Sequence, residues 1–493
     1  MLDRPSLPLC LLLVPLACGA GACAPVEPDD ARRSWLVDAL IQDNQIWLSR
    51  DHALLAAKYA TMADDPYDFM RGTAGVFFKD IGRAGTARTP TAFLTEPVAA
   101  EVLLVGDPHP ENLGTFMPGD GPGPDAALAR EDWPDDVFID FNDLDGSAFG
   151  PYLLDLRRAA TGLGVLSAGL EGCDAACTDA AVSALAWGYA DEIARLDAGG
   201  PAAAPISEDP LADGDIVARL IEEAEEEGPI RKKLFRYAAP DEATGALTLS
   251  RDPALDDAME GMLALTMTEA QQLDRLAAGI AARGPEGFRV LDAVRRYGSG
   301  VASLPAVRYV VLWDTGAEGP EDDALAVVRE VVDPAPAPGL RPTLPGLFND
   351  NAARIEQAPR LLWTRPDADA RTLGLHDGDQ VFKMVSWTSW NQGFDHGDIL
   401  DDWADGDVGP EDLDLLAAFI GRTLAGAHAR APTASGGAAL DALARELEGR
   451  QDAFVAERVE VARADLERCM ADYALFLDAL DRHGPLLGAE RLR

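Results

Sequence analysis

Residues 102–116 read VLLVGDPHPENLGTF, and residues 137–158 read VFIDFNDLDGSAFGPYLLDLRR. Each half begins as an apolar run, which is how a buried strand reads. Each run ends on an acidic residue, Asp107 in the first and Asp140 in the second. Asn112 follows Asp107 by five positions, in a loop made turn-prone by Pro108 and Pro110. Two carboxylates and an amide at neighbouring strand ends suit a hard divalent cation. Mg²⁺ takes oxygen ligands and leaves room for phosphate. Asp107 can also accept the proton of a hydroxyl nucleophile. The competing reading is that Asp107, Asn112 and Asp140 merely cap turns and helices. Two matched strand ends at this spacing favour a metal or phosphate site.

The spacing is the D-x-x-x-x-N followed by D of phosphoryl-transfer enzymes. GDPHPENLG and IDF resemble the aminoglycoside-phosphotransferase branch of the kinase-like superfamily, where the loop reads GDxHPxN and the metal strand IDF or IDW. More closely, GDPHPENLG, IDFNDLDGS and GPYLLDLRR resemble the bacterial domain-of-unknown-function 2252 family, with its GDxHxxNFG, FDxNDFDE and GPxxxDLxR. The likeness extends, with gaps, from about Arg71 to the C-terminal helix. It implies that Asp107 orients an acceptor hydroxyl while Asn112 and Asp140 hold Mg²⁺ on nucleotide phosphates. Asp143 is implied as a further ligand or a turn residue, and Asp145 as a turn residue. Asp155, in the first turn of a helix over 154–168, steadies the loop backbone. His109 orders the loop by hydrogen bonding. Arg71, in the family's Arg-Gly pair, binds phosphate or forms a buried ion pair.

Beyond this block, helical patterns fall at roughly 175–198, 212–226 and 252–283. The texture changes near 290. YGSGVASLPAVRYVVLW (297–313) reads as a glycine turn feeding a strand, and ALAVVREVV (324–332) as another. The resemblance makes these a small lobe, with Gly298 and Gly300 over phosphates and Arg329 on the strand that should carry a Lys. Glu356, on the next helical segment, is the implied partner of that cation. QVFKMVSWTSW reads as one more strand, containing Lys383. A helix over 411–431 ends in His428, read as a buried helix-end His. The catalytic-type loop precedes all of these, so the order is that of a circular permutation. The expected fold is α+β: a two-lobed, kinase-like, circularly permuted fold with extra helices at both ends. Its parts are a leader (1–23), a helical segment (24–95), a large-lobe part (96–289), a small-lobe part (290–400) and C-terminal helices (401–493).

A short apolar leader with small residues before Cys18 and Cys23 reads as a secretory signal with a lipobox-like Cys, hence an exported, lipid-anchored protein. Cys173 and Cys177 form either a local disulfide or two free thiols. With 84 acidic against 42 basic residues, the net charge of −42 excludes nucleic-acid partners and leaves a small-molecule or nucleotide ligand. Three functions fit: a kinase-like protein that binds Mg²⁺ with ATP or another phosphorylated compound and transfers phosphoryl to a small hydroxylated acceptor; a non-catalytic exported binding lipoprotein; or a metal-dependent hydrolase using the same carboxylates. Arg329 in place of Lys favours the second.

Overall fold

The computed structural model describes residues 29–83, 91–117, 137–201, 214–256, 258–285, 287–315, 323–332 and 340–491. The leader, with Cys18 and Cys23, lies outside these residues. The chain is a mixed α+β structure. Among the described residues, no helix is long and apolar enough to cross a membrane.

The N-terminal helical pattern is realised as short helices, because polar residues interrupt it. Helix Asp29–Asp43 stops before Asn44. Asp51 caps helix His52–Asp64 through the amides of Ala53 and Leu54. Asp65 caps Pro66–Gly72 through Tyr67 and Asp68, with Pro66 in the first turn, where a missing N–H costs nothing. Arg32 ties this end to the long C-terminal helix Gln451–His483 by pairing with Asp80 (2.6 Å) and Asp472, all buried.

The central block forms two small antiparallel pairs. Strand β1 (Val102–Leu104) pairs with β4 (Ala148–Gly150), and β2 (Leu113–Phe116) with β3 (Phe138–Phe141). Helices Leu153–Gly169, Ala175–Asp197 and Pro410–Arg430 surround them in the largest apolar core. A disulfide joins Cys173, just before the second of these helices, to Cys177 in its first turn.

Residues 252–283, expected as one helix, contain a strand and a helix. Strands β5 (Ala238–Pro240) and β6 (Leu247–Leu249) form a hairpin; β7 (Gly261–Ala264) follows, and then helix Met267–Arg283. Thr266 and Glu269 close a capping box that fixes where this helix starts. Strand β7 joins β8 (Arg289–Tyr297), β9 (Arg308–Asp314), β10 (Ala324–Val331), β11 (Leu373–Asp377) and β12 (Gln380–Ser386) in one antiparallel sheet. Its order is β11-β12-β10-β9-β8-β7, so it begins well before the change of texture at 290. Strand β9 is buried on both faces rather than alternating. Tyr309, Val311 and Trp313 pack with Leu273, Leu276 and Ile280 of helix Met267–Arg283, while Val310 and Leu312 pack with Leu247 and Leu249 of the hairpin.

Candidate functional site

The loop after β1 is held from below by a buried carboxylate. Asp155 accepts the amides of Val105 (2.7 Å) and Gly106 (3.0 Å), and His428 Nε2 lies 3.0 Å from it. His428 Nδ1 is 3.0 Å from the Tyr189 hydroxyl. Asp155 and His428 are fully buried. Gly106 has φ +100°, and a Cβ there would overlap the Gly146 carbonyl, so the chain turns here only with glycine. The turn presents Asp107, whose Oδ1 accepts Arg158 Nε at 2.6 Å. The Asn112 amide donates to the Asp107 carbonyl at 2.7 Å, closing the five-residue loop on itself.

His109 hydrogen-bonds within this loop through its backbone, donating its amide to the Asp107 carbonyl and accepting the Asn112 amide (each 2.9 Å), while its ring is buried. Its Nε2 lies 3.9 Å from Asp107, and its Nδ1 has no hydrogen-bond partner among the described residues. Burial pushes its pKa down to about 4, which leaves a neutral ring. Arg71 pairs with Glu111 (2.6 Å) and Asp68 (3.0 Å). Glu111 also meets His396 Nδ1 at 2.6 Å, while His396 Nε2 reaches Asp65 at 3.1 Å. Burial opposes the charge on His396, but the two carboxylates outweigh it and lift the pKa to about 10. His396 is therefore an imidazolium clamp between the loop and the N-terminal helices.

Asp140 is buried and does not line the cleft described below. It sits within β3 opposite Gly114, 1% exposed. Its two oxygens accept the amides of Phe141 (2.8 Å) and Thr364 (2.7 Å). Burial raises its pKa, against the pull of Arg430. Beyond β3 the pairing continues, with the Asn142 amide donating to the Asn112 carbonyl at 2.9 Å. The following turn carries the carboxylates that do meet cations. Arg329 Nη2 lies 2.9 Å from Asp143 and 2.6 Å from Asp145, and Lys383 Nζ lies 3.0 Å from Asp145. Burial pushes the Asp143 carboxyl up, but Arg329 and Lys383 outweigh it and hold it at about 2.

Asp143, Arg329 and Lys383 border a cleft of about 350 Å³. Asn112, Asn142 and Asp143, from the loop and the turn after β3, line it together with Arg308, Arg329 and Lys383 of the sheet. The three cations form a row because the sheet register makes them direct partners: Arg308 opposes Arg329, and Arg329 opposes Lys383. Gly298 and Gly300 (φ +68° and +73°) shape the turn after β8, and Ser299 between them borders the cleft. Asp107 is outside the lining.

Glu356 does not reach Arg329. It pairs with Arg283 and Arg360 and accepts the Gly374 amide at 3.2 Å. The reason is strand order: β12 lies between β10 and β11, so a helix seated over β11 is one strand too far from Arg329. The sequence reading missed Lys383, Arg308 and Asn142 as site residues. For the cations the signal lay in register, since they sit on three strands whose pairing no local pattern reveals.

A family model described as "Uncharacterized protein conserved in bacteria (DUF2252)" matches residues 50–479. No curated protein and no solved structure matches.

Proposed function

We propose, for a chain that belongs to the DUF2252 family, that the cleft binds a metal–phosphate ligand and transfers phosphoryl to a small hydroxylated acceptor. One observation carries this reading. Oxygen ligands on Asn112 and Asp143 line the same cleft as the cations Arg329 and Lys383, the two kinds of partner that a phosphate bridged by a divalent cation takes. The metal set is thus Asn112 and Asp143, with Asp140 serving to anchor Thr364. Lys383, directly across from Arg329, supplies the compact ammonium that the strand of Arg329 lacks. The order of a loop-bearing part first, then a glycine turn and a six-stranded antiparallel sheet, supports reading the frame as a two-lobed, permuted kinase-like fold.

A divalent cation held by Asn112 and Asp143 would neutralise phosphate oxygens. Arg329 and Lys383 would grip the same group from the sheet. Asp107 lies beyond the lining, at the start of the loop that carries Asn112, so an acceptor would have to reach past that loop to its Oδ2 while Arg158 holds Oδ1. The acceptor oxygen forms the new bond to phosphorus as the bond to the leaving oxygen breaks, and its proton passes to Asp107. A second reading, binding without transfer, is favoured by the Asp107–Arg158 pair, which occupies one oxygen of Asp107 and turns it away from the cleft lining.

Calorimetry and a transfer assay with Mg²⁺ and ATP or GTP test this. Binding should need Mg²⁺, Asp143→Ala should lose the Mg²⁺ dependence, and Asp107→Asn should bind but not transfer. No Mg²⁺-dependent binding, or Asp143→Ala behaving as wild type, would overturn the reading. Binding with no transfer by the wild type would select the second reading.

A further inference from the structure

The cation row does not end at Arg329 and Lys383. Arg308 lies beside Arg329, and Arg296 on β8 borders the same cleft. Strands β8, β9, β10 and β12 are consecutive in the sheet and about 4.8 Å apart, so these four cations span about 14 Å. That is wider than one phosphate group. The carboxylates beside the row pair only with the Lys383 end: Asp143 and Asp145 reach Arg329 and Lys383. Among the described residues, Arg296 and Arg308 have no carboxylate at ion-pair distance. Arg308 is held by the Ser299 carbonyl and by Ser303 Oγ (3.1 Å). Arg296 lies over the Trp387 ring at 4.8 Å, which fixes its guanidinium without neutralising it. Two guanidinium groups are thus held in place on the lining of the cleft without a carboxylate partner, in a chain of net charge −42.

We infer that Arg296 and Arg308 form a second anion subsite, and that the ligand is a linked polyphosphate running along the row. Its reacting phosphate lies between Asp143 and Lys383, and a further phosphate lies on Arg296 and Arg308. This rests on the phosphate reading of the cleft and narrows it from phosphorylated compounds in general to those with a phosphate chain. The electrostatics agree: burial, with Arg329 and Arg296 nearby, pushes Arg308 down to about 9, and an anion there relieves that repulsion.

The test is titration calorimetry on the full chain with Mg²⁺ present, using inorganic orthophosphate and tripolyphosphate as probes. Wild type should bind tripolyphosphate at least about tenfold more tightly, as a charge-assisted contact contributes. Arg296→Gln should remove that advantage while leaving orthophosphate affinity within about twofold. Arg296→Lys should restore part of it. Arg308→Gln should act in the same direction, but Arg296 is the cleaner probe because Arg308 also holds the Ser299 turn. Equal affinity for the two probes in the wild type would overturn the second subsite and leave the metal–phosphate cleft standing. An Arg296→Gln variant that loses both probes equally would also overturn it, showing a general field in place of a subsite. If neither probe binds, the cleft reading itself fails, and this inference with it.

Discussion

Replacing Arg329 by Ala probes the cations and the carboxylates of the cleft at once. One guanidinium nitrogen lies 2.9 Å from Asp143 and 2.6 Å from Asp145, and the arginine side chain is 15% exposed. Without it, Asp143 loses its ion pair, and Asp145 keeps Lys383 alone. Breaking a buried pair costs roughly 3–5 kcal/mol, because the stranded charge stays desolvated. Here Asp143 borders the cleft and Lys383 remains beside Asp145, so solvent and lysine recover part of that. The expected loss is about 2 kcal/mol. Its pH dependence has a definite sign. Asp143 has a folded pKa of about 2, below its usual 3.8. Such a group stabilises fully above the unfolded value, and its contribution fades as pH falls through about 2. The gap between wild type and Arg329→Ala should therefore be full at pH 7 and narrow from about pH 4 downward. Urea denaturation at pH 7 and pH 3 measures it. The same variant reports on metal. Released carboxylates can hold Mg²⁺, so Mg²⁺ at ten times its Kd should restore about 1.4 kcal/mol to the variant and much less to the wild type. A loss under about 0.5 kcal/mol at pH 7 would refute the buried pairing. A variant that Mg²⁺ fails to stabilise would refute the carboxylates as metal ligands.

Asp155→Ala strands the Val105 and Gly106 amides and His428 in a fully buried place, and should cost about 3–5 kcal/mol in urea denaturation; a loss under 1 kcal/mol would argue against this anchor. His396 has a folded pKa raised to about 10, so its contribution is complete below the usual 6.5 and is lost as pH rises through about 10. Wild-type stability should thus fall more steeply than that of His396→Gln between pH 7 and 10, and parallel curves would dismiss the clamp. Gly421→Ala sets a Cβ into the Leu185 carbonyl, where helices Ala175–Asp197 and Pro410–Arg430 touch. It should destabilise by at least about 2 kcal/mol, whereas an unchanged denaturation midpoint would show that the helices can part at no cost.

The sequence by itself determined local things. Apolar runs with their turn residues placed β1, β3, β9, β10 and β12, and caps such as Asp51 and Asp65 set where helices start. The spacing of Asp107 and Asn112 marked the loop, and a short loop closed by its own Asn–carbonyl bond is a local matter. What residues 252–283 become was not legible, because β7 is extended only by pairing with β8.

The cleft itself was decided by tertiary structure. Asp140 and Asp143 lie three positions apart, and the sequence made Asp140 the strand-end ligand and Asp143 a further ligand or a turn residue. Pairing of β3 with β2 turns Asp140 inward to the Thr364 amide, and the turn after β3 carries Asp143 outward to Arg329. Lys383 becomes the neighbour of Arg329 only through the register of β10 with β12, and Glu356 is displaced because β12 intervenes. Register and strand order are set by non-local packing over the whole sheet. A one-residue slip would move each cation to the opposite face, so no local stretch of sequence could place them in one row.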